Sequence, residues 1–457
     1  MSFTSIGSFN SGLWKGGATN SISPFADPNK SVILASAIDY SSTFGQSLTF
    51  KPISPSVDNA ALSADGKYIA MNYKNNNPDP YKNGLLISSD YGNSFSGVSS
   101  FSVPLSGPVM SKDGKYIVCW QINGPNVYIS KDFGASFSIP SILDTSGVFW
   151  SCQMSDGGRY MFLRNLIRNT PFFNSKIYRT KDYGATFTPV ITTTNILENG
   201  GPGLVECFIS NDGKIQIYHS LPNKSYISRD YGETFNIWFD ASNASTLTNA
   251  FTTTPFSYIS PSVVVPFPSS TVYTVTYTVN GNSYPYSSVI KFDATGKYMQ
   301  ATFVVNINGG YGANIVSYNY ISSNYGVSWS QTSSDTKIGY GKISYDGKYR
   351  IYNTQTMDFT SRPYKTYFSN DYGSSWSNIN NRGIYYWRIN TSYNNKCMAY
   401  IDASNLLNYT TDSGTTWTIG NTSMSSTTYN ILSDNARVFV IPHGPAGLGG
   451  NVWIQSL

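Results

Sequence analysis

The sequence is poor in charge, in histidine and in glutamate. Charged residues make up 12% of the 457, about half of the roughly 25% usual for a soluble domain, so Ser, Thr, Asn, Gly and Tyr must coat the surface. Thirty Lys+Arg against 25 Asp+Glu leave a net charge of only +5 and no dense basic run, so nucleic-acid binding is not expected. Glutamate occurs three times, as Glu198, Glu206 and Glu233, and histidine twice, as His219 and His443. Neither histidine lies in an HExxH-type arrangement, so neither a zinc site nor a Ser-His-Asp triad is expected, and no cofactor is called for. The four cysteines, Cys119, Cys152, Cys207 and Cys397, are too far apart for a CxxC motif. Their apolar surroundings (YIVCW, FWSCQM, VECFIS, KCMAY) suit buried free thiols that pack as small hydrophobes. No apolar stretch reaches the roughly 18 residues of a membrane helix, and the opening MSFTSIGSFNSGLW lacks the charged and apolar regions of a secretory signal. Membrane insertion is therefore not expected.

Aromatic residues, in contrast, are abundant: 36 Tyr, 25 Phe and 9 Trp can fill a large core, which excludes disorder from low hydrophobicity. They recur in a phrase of the form S/T-x-D-x-G-x-S/T-F/W. It reads SSDYGNSF from Ser88, SKDFGASF from Ser130, TKDYGATF from Thr180 and SRDYGETF from Ser228. It returns as SSNYGVSW from Ser322, SNDYGSSW from Ser369 and TTDSGTTW from Thr410, with a weaker copy, SSTFGQSL, at Ser41. The central positions Thr43, Asp90, Asp132, Asp182 and Asp230 lie 47, 42, 50 and 48 residues apart; Asn324, Asp371 and Asp412 follow after 94, 47 and 41. The double gap holds Asn280-Gly281-Asn282-Ser283-Tyr284, which reads as a shortened copy, as does Ser8–Trp14 at the start. A second phrase precedes each box: SADGKY at Ser63, SKDGKY at Ser111, SNDGKI at Ser210 and SYDGKY at Ser344, with looser forms at Ser155, Asp293, Ser392 and Ser433. Asp-Gly followed by alternating apolar residues signals a hairpin.

The first phrase is the Asp box, and the chain resembles the BNR/Asp-box β-propellers, a group that includes sialidases, xyloglucanases and sortilin-type receptors. The resemblance runs along nearly the whole chain. Each unit of about 45 residues reads as strand a, DGK turn, strand b, loop, strand c, Asp box and strand d, the pattern of propeller blades. The expected fold is all-β: a single closed propeller over residues 1–457, with ten four-stranded blades. Nine blades, with 236–290 as an insertion, is the alternative. Residues 1–18 are expected to supply the outer strand of the blade formed by 425–457, closing the ring and removing its edges.

The aspartates Asp90, Asp132, Asp182, Asp230, Asp371 and Asp412 are expected to be structural, because a catalytic carboxylate would not recur in every blade. In an up-and-down blade both phrases fall on one end, and the irregular b–c and d–a loops on the other. Loops on a rigid scaffold are the usual place for binding. NYKNNNPDPYKNG, LRNLIRNTPFFNS, NINGGYGANI and NTQTMDFTSRPYK carry Tyr81, Arg164, Arg168, Tyr311, Arg362 and Tyr364; with Trp387, these are the candidate binding residues. On innermost strand a, Glu206 and Arg388 share a repeat position and face the channel if the blades are regular; they are the candidates for a glycosidase.

What the sialidase resemblance implies is an arginine triad for a carboxylate, a Tyr/Glu nucleophilic pair and an Asp acid. Glutamate scarcity and the absence of an Arg-Ile-Pro element, with Arg362-Pro363 the nearest approach, speak against that set. A two-carboxylate glycosidase needs its pair about 5–9.5 Å apart; Asp79, Asp358 and Asp402 fall on the loop end. The expected function is a non-catalytic binding or assembly module for a glycan or protein ligand. Its Ser/Thr/Asn/Tyr coat suits a virion or surface-assembly component, or equally a leaderless cytoplasmic protein. A sialidase-like or two-carboxylate glycoside hydrolase is the alternative.

Overall fold

The computed structural model describes residues 39–455 apart from 75–82, 198–206, 241–274, 307–314, 356–364, 381–389, 442–450 and shorter stretches between strands. The described residues are all-β, with no helix. They form eight sheets, in which chain neighbours pair antiparallel. Seven follow one another along the chain, over 56–98, 105–130, 148–197, 207–240, 275–333, 338–380 and 390–423. The eighth joins Ile431–Leu432, Val438–Ile441 and Asn451–Gln455 to Leu48–Pro52 from the other end of the chain.

Six of the eight have four strands, while the second has three and the fifth has five. Both departures have local causes. In the second sheet, Ile129 and Ser138 exchange backbone hydrogen bonds, 2.9 and 3.0 Å, where a fourth strand would begin. Pro140 follows, and a proline has no N–H with which to continue a ladder. In the fifth, Val279 pairs with Asn282. Asn282, Ser283 and Tyr284 of the shortened copy therefore lie in a strand of this sheet, paired with Val279, Thr278 and Tyr277.

Ten blades were expected; the described residues form eight sheets. Ten blades would place one between the fourth and fifth sheets and one between the eighth and first. The fourth sheet instead meets the fifth directly: Arg229 Nε donates to the Tyr325 carbonyl at 3.1 Å. The eighth meets the first: Asn435 N–H donates to the Ala64 carbonyl at 3.2 Å. The expected copy at Ser8–Trp14 lies outside the described residues, and the place beside Asn451–Gln455 that residues 1–18 were expected to fill is taken by Leu48–Pro52, directly after the weak box at Ser41.

The cores lie between sheets, as expected when meander sheets stack face to face and bury both sides. Between the second and third, Tyr116, Val118 and Trp120 pack with Phe149, Met161 and Leu163. Phe44, beside the terminal strand, packs with Phe439 of the eighth sheet and with Leu407 and Cys397 of the seventh. All four cysteines are buried free thiols, and burial pushes the Cys119 thiol up to about 12. Among the described residues no helix is long and apolar enough to cross a membrane.

Candidate functional site

The two ends of the sheets are built in opposite ways. At one end the Asp-box turns repeat a common set of bonds. In the first sheet, Ser88 Oγ donates to Asp90 Oδ1 (2.8 Å) and accepts from Gly92 N–H (2.8 Å). Asp90 Oδ1 also accepts Ser94 N–H (2.9 Å), and Oδ2 accepts Ser94 Oγ–H (2.6 Å). Asp132, Asp182, Asp230, Asp371 and Asp412 make the same set. Burial pushes the Asp90 carboxyl upward, but the hydrogen bonds from Ser94 and Ser88 outweigh it and hold the pKa below the ordinary value. Asn324 takes the same place with an amide.

The residue after the Asp adopts a left-handed backbone, as at Tyr91 (φ 66°), Phe133 (62°) and Tyr183 (61°), which is uncommon for a non-glycine residue. Its N–H donates to the carbonyl of the DGK lysine or arginine, as Tyr91 does to Lys67 at 3.0 Å; both phrases therefore share one end. Its ring stacks on the tyrosine of the preceding sheet: Phe133 on Tyr68 at 4.7 Å, Tyr183 on Tyr116 at 4.9 Å, Tyr231 on Tyr160 at 5.6 Å. The same tyrosines explain the DGK glycine. A Cβ on Gly114, at φ +83°, would stand 2.5 Å from Tyr68 Cδ2.

A belt of backbone hydrogen bonds ties these turns from sheet to sheet. Ala64 N–H donates to Lys112 O (2.7 Å), Lys112 N–H to Asp156 O (2.6 Å) and Asp156 N–H to Asn211 O (2.7 Å). Tyr393 N–H donates to Asp434 O (2.7 Å), and the Asn435–Ala64 bond carries the belt across the two ends of the chain. Over Ala64, Lys112 Nζ reaches Asp434 Oδ1 at 2.9 Å.

The opposite end is uneven because the strands differ in length. Strands b and c of the third sheet, Met161–Asn169 and Phe172–Thr180, have nine residues each, against five in Gln216–Ser220 and Lys224–Ser228 of the fourth. Their counterparts in the fifth, Met299–Asn306 and Ile315–Ser322, have eight each. Met161, Gln216 and Met299 hold the same place after the DGK turn, so the described strands of the third and fifth sheets run about 13 and about 10 Å farther than those of the fourth, at about 3.3 Å per residue.

The stretch LRNLIRNTPFFNS is thus corrected from loop to hairpin. Arg164 sits opposite Ser151 and Ile177 in the sheet and is 3% exposed, a core residue and not a loop residue. Arg168 lies one pair from the hairpin tip, opposite Phe173. Tyr81, Tyr311, Arg362, Tyr364, Trp387, Glu206 and Arg388 lie outside the described residues.

Sequence reasoning missed the polar residues buried between sheets: Gln216, Gln300 and Arg350 are 0%, 2% and 1% exposed. A signal was present. Gln216 and Arg350 follow the DGK phrase where other units carry Ile69, Ile117, Met161 or Met398. The turn at Asp293 exchanges its side chains: Thr295 Oγ1 donates to Asp293 Oδ2 (2.9 Å) and Tyr298 N–H to Oδ1 (3.0 Å), inverting the Ser-to-Asp order of SADGKY. Burial raises Asp293 to about 7 and Asp212 to about 6. Among the described residues no three His, Cys, Asp or Glu side chains gather as metal ligands would.

No family model matches the chain, and no curated protein matches it. Solved structures do. An oligogalacturonate lyase from Vibrio parahaemolyticus is 7% identical over 90% of this chain and 97% of its own, with a TM-score of 0.48. YCF48 bound to D1 peptide is 10% identical over 74% and 90%, TM-score 0.39. A GH74 enzyme from Niastella koreensis is 13% identical over 84% and 75%, TM-score 0.25.

Proposed function

We propose that the chain is a non-catalytic binding or assembly module, built as one closed propeller ring of eight sheets with the Asp boxes as its structural turns. Its ligand, a glycan or a protein segment, is taken at the end opposite the Asp boxes, in the recess above the fourth sheet between the taller third and fifth. The observation that carries this reading is the division of labour between the ends. At the boxed end the repeated carboxylates are committed to their own turns, with side-chain hydroxyls at 2.5–2.8 Å. At the other, the third-sheet hairpin reaches past its neighbour and sets Arg168 opposite Phe173, a cation and an aromatic of the kind that anchor ligands. The belt that passes from Tyr393 through Asp434, Ala64 and Lys112 to Asn211 supports the ring.

A screen of the full chain against a glycan array and a peptide array, run beside hydrolysis assays on fluorogenic sialosides and β-glucans, tests this. Expected are capture of a ligand, its weakening by about tenfold or more in Arg168→Ala, and no turnover. Hydrolysis abolished by Glu206→Gln would overturn the reading and restore the glycosidase one.

A further inference from the structure

The junction between the fifth and sixth sheets differs from its counterparts in what it buries. At each junction, one residue from strand b of the leading sheet faces one from strand b of the next. The pairs are Ala70 and Ile117 between the first and second sheets, Ile351 and Met398 between the sixth and seventh, and Ala399 and Phe439 between the seventh and eighth. At the fifth–sixth junction the same places hold Gln300 and Arg350.

Their facing follows from register and contact. Gln300 pairs directly with Ile321, and directly opposed residues share a face. A Cβ on Gly373 of the sixth sheet would stand 3.4 Å from Ile321 Cγ2 and 3.2 Å from Arg350 Cδ, so Ile321, Gln300 and Arg350 look into one space. Arg350 Nη1 crosses it to donate to the Met299 carbonyl at 3.2 Å, while Nε lies 3.4 Å from the Gly347 carbonyl.

The charge balance there is incomplete. Both of these acceptors are neutral carbonyls. Asp293 and Asp371, the acids that act on Arg350, form no ion pair with it, and both bind their own turns through Thr295 and Tyr298, and through Ser369 and Ser375. Gln300 has neither amide atom hydrogen-bonded among the described residues. A guanidinium remains charged at any physiological pH, and a buried charge with no hydrogen-bonded counter-charge is unfavourable. A buried amide with no partner likewise implies an ion or a water beside it.

We propose that this junction binds a small monovalent anion, of the size of chloride or bromide, held by the Arg350 guanidinium and the Gln300 amide N–H. The anion would lock the fifth sheet to the sixth, at the boxed end and away from the ligand recess.

The test is a bromide titration of thermal stability on the full chain, in a gluconate background at constant ionic strength, with crystals soaked in bromide in parallel. Expected are a saturable rise in Tm, as for any ligand that binds the folded state, and an anomalous peak within hydrogen-bonding reach of Arg350 and Gln300. Arg350→Met should abolish the halide response. Gln300→Leu should weaken the apparent affinity by about tenfold, the equivalent of one hydrogen bond to a charged group. Ordered water without anomalous signal would overturn the proposal, as would a halide response of the same size in Arg350→Met. If Arg350→Met fails to fold, the Gln300→Leu titration and the anomalous map decide alone.

Discussion

The junction between the first and second sheets and that between the fifth and sixth share one frame with opposite fillings. In the first, Ala70 and Ile87 meet Ile117 over Gly134, whose Cβ would lie 3.0 Å from Ile87 Cδ1 and 3.3 Å from Ile117 Cδ1. In the second, Gln300 and Ile321 meet Arg350 over Gly373. Turns, stacked rings and glycines are common to both. The frame therefore holds sheets together without prescribing what fills the gap.

The largest expected effect exposes that difference. Ile117→Ala should cost about 2–5 kcal/mol, the range for removing buried aliphatic bulk, in chemical unfolding of the full chain. Arg350→Met in halide-free buffer should be close to neutral or stabilising, because packed hydrophobes often replace a buried charge without loss. Equal destabilisation by the two would dissolve the contrast between the junctions.

Next in size are the box carboxylates, which belong to the common frame. Asp132→Ala leaves Ser136 N–H and two hydroxyls without their acceptor and should cost about 1–3 kcal/mol. Asp371→Ala should cost a similar amount despite its polar junction. A cost that tracked the filling of the junction would show that frame and filling are coupled.

The smallest effect concerns pH, and the two classes of aspartate have opposite signs. The box carboxylates are held below 3.8, so their stabilisation is present above that value and is lost as pH falls through their lowered pKa values. Asp212 and Asp293 are raised from 3.8 to about 6 and about 7. Their contribution is complete below 3.8 and is lost as pH rises through those values. Tm should therefore fall between about pH 4 and pH 7, and Asp293→Asn should flatten the fall. An unchanged slope in that variant would remove the fourth and fifth sheets from the explanation.

The turns were legible in the sequence because each needs the same side chains: a hydroxyl to cap, a carboxylate to bridge, a glycine where Tyr68 or Tyr116 leaves no room. Asn280–Tyr284 imitates a box, but its described part, Asn282–Tyr284, lies in a strand paired with Tyr277–Val279. The copy near Trp14 drew attention from Ser41, whose own following strand, Leu48–Pro52, pairs with Asn451–Gln455. At the loop end nothing repeats, so FLRNLIRN read as a loop although its alternation is that of a strand. Arg164 then fell inside the sheet. Arg350 was visible only as a break in an apolar column, and such a break carries no message until the facing residue, Gln300, is known.

In the proposed function the boxed end builds the ring and the uneven end binds. Ligand capture by Asp132→Ala and by an Arg168→Ala/Phe173→Ala double variant, measured by isothermal titration below the unfolding temperature of each, tests it most directly. Unchanged affinity is expected in the first and a loss of about tenfold or more in the second. Loss of binding in folded Asp132→Ala, with full binding in the hairpin variant, would contradict it.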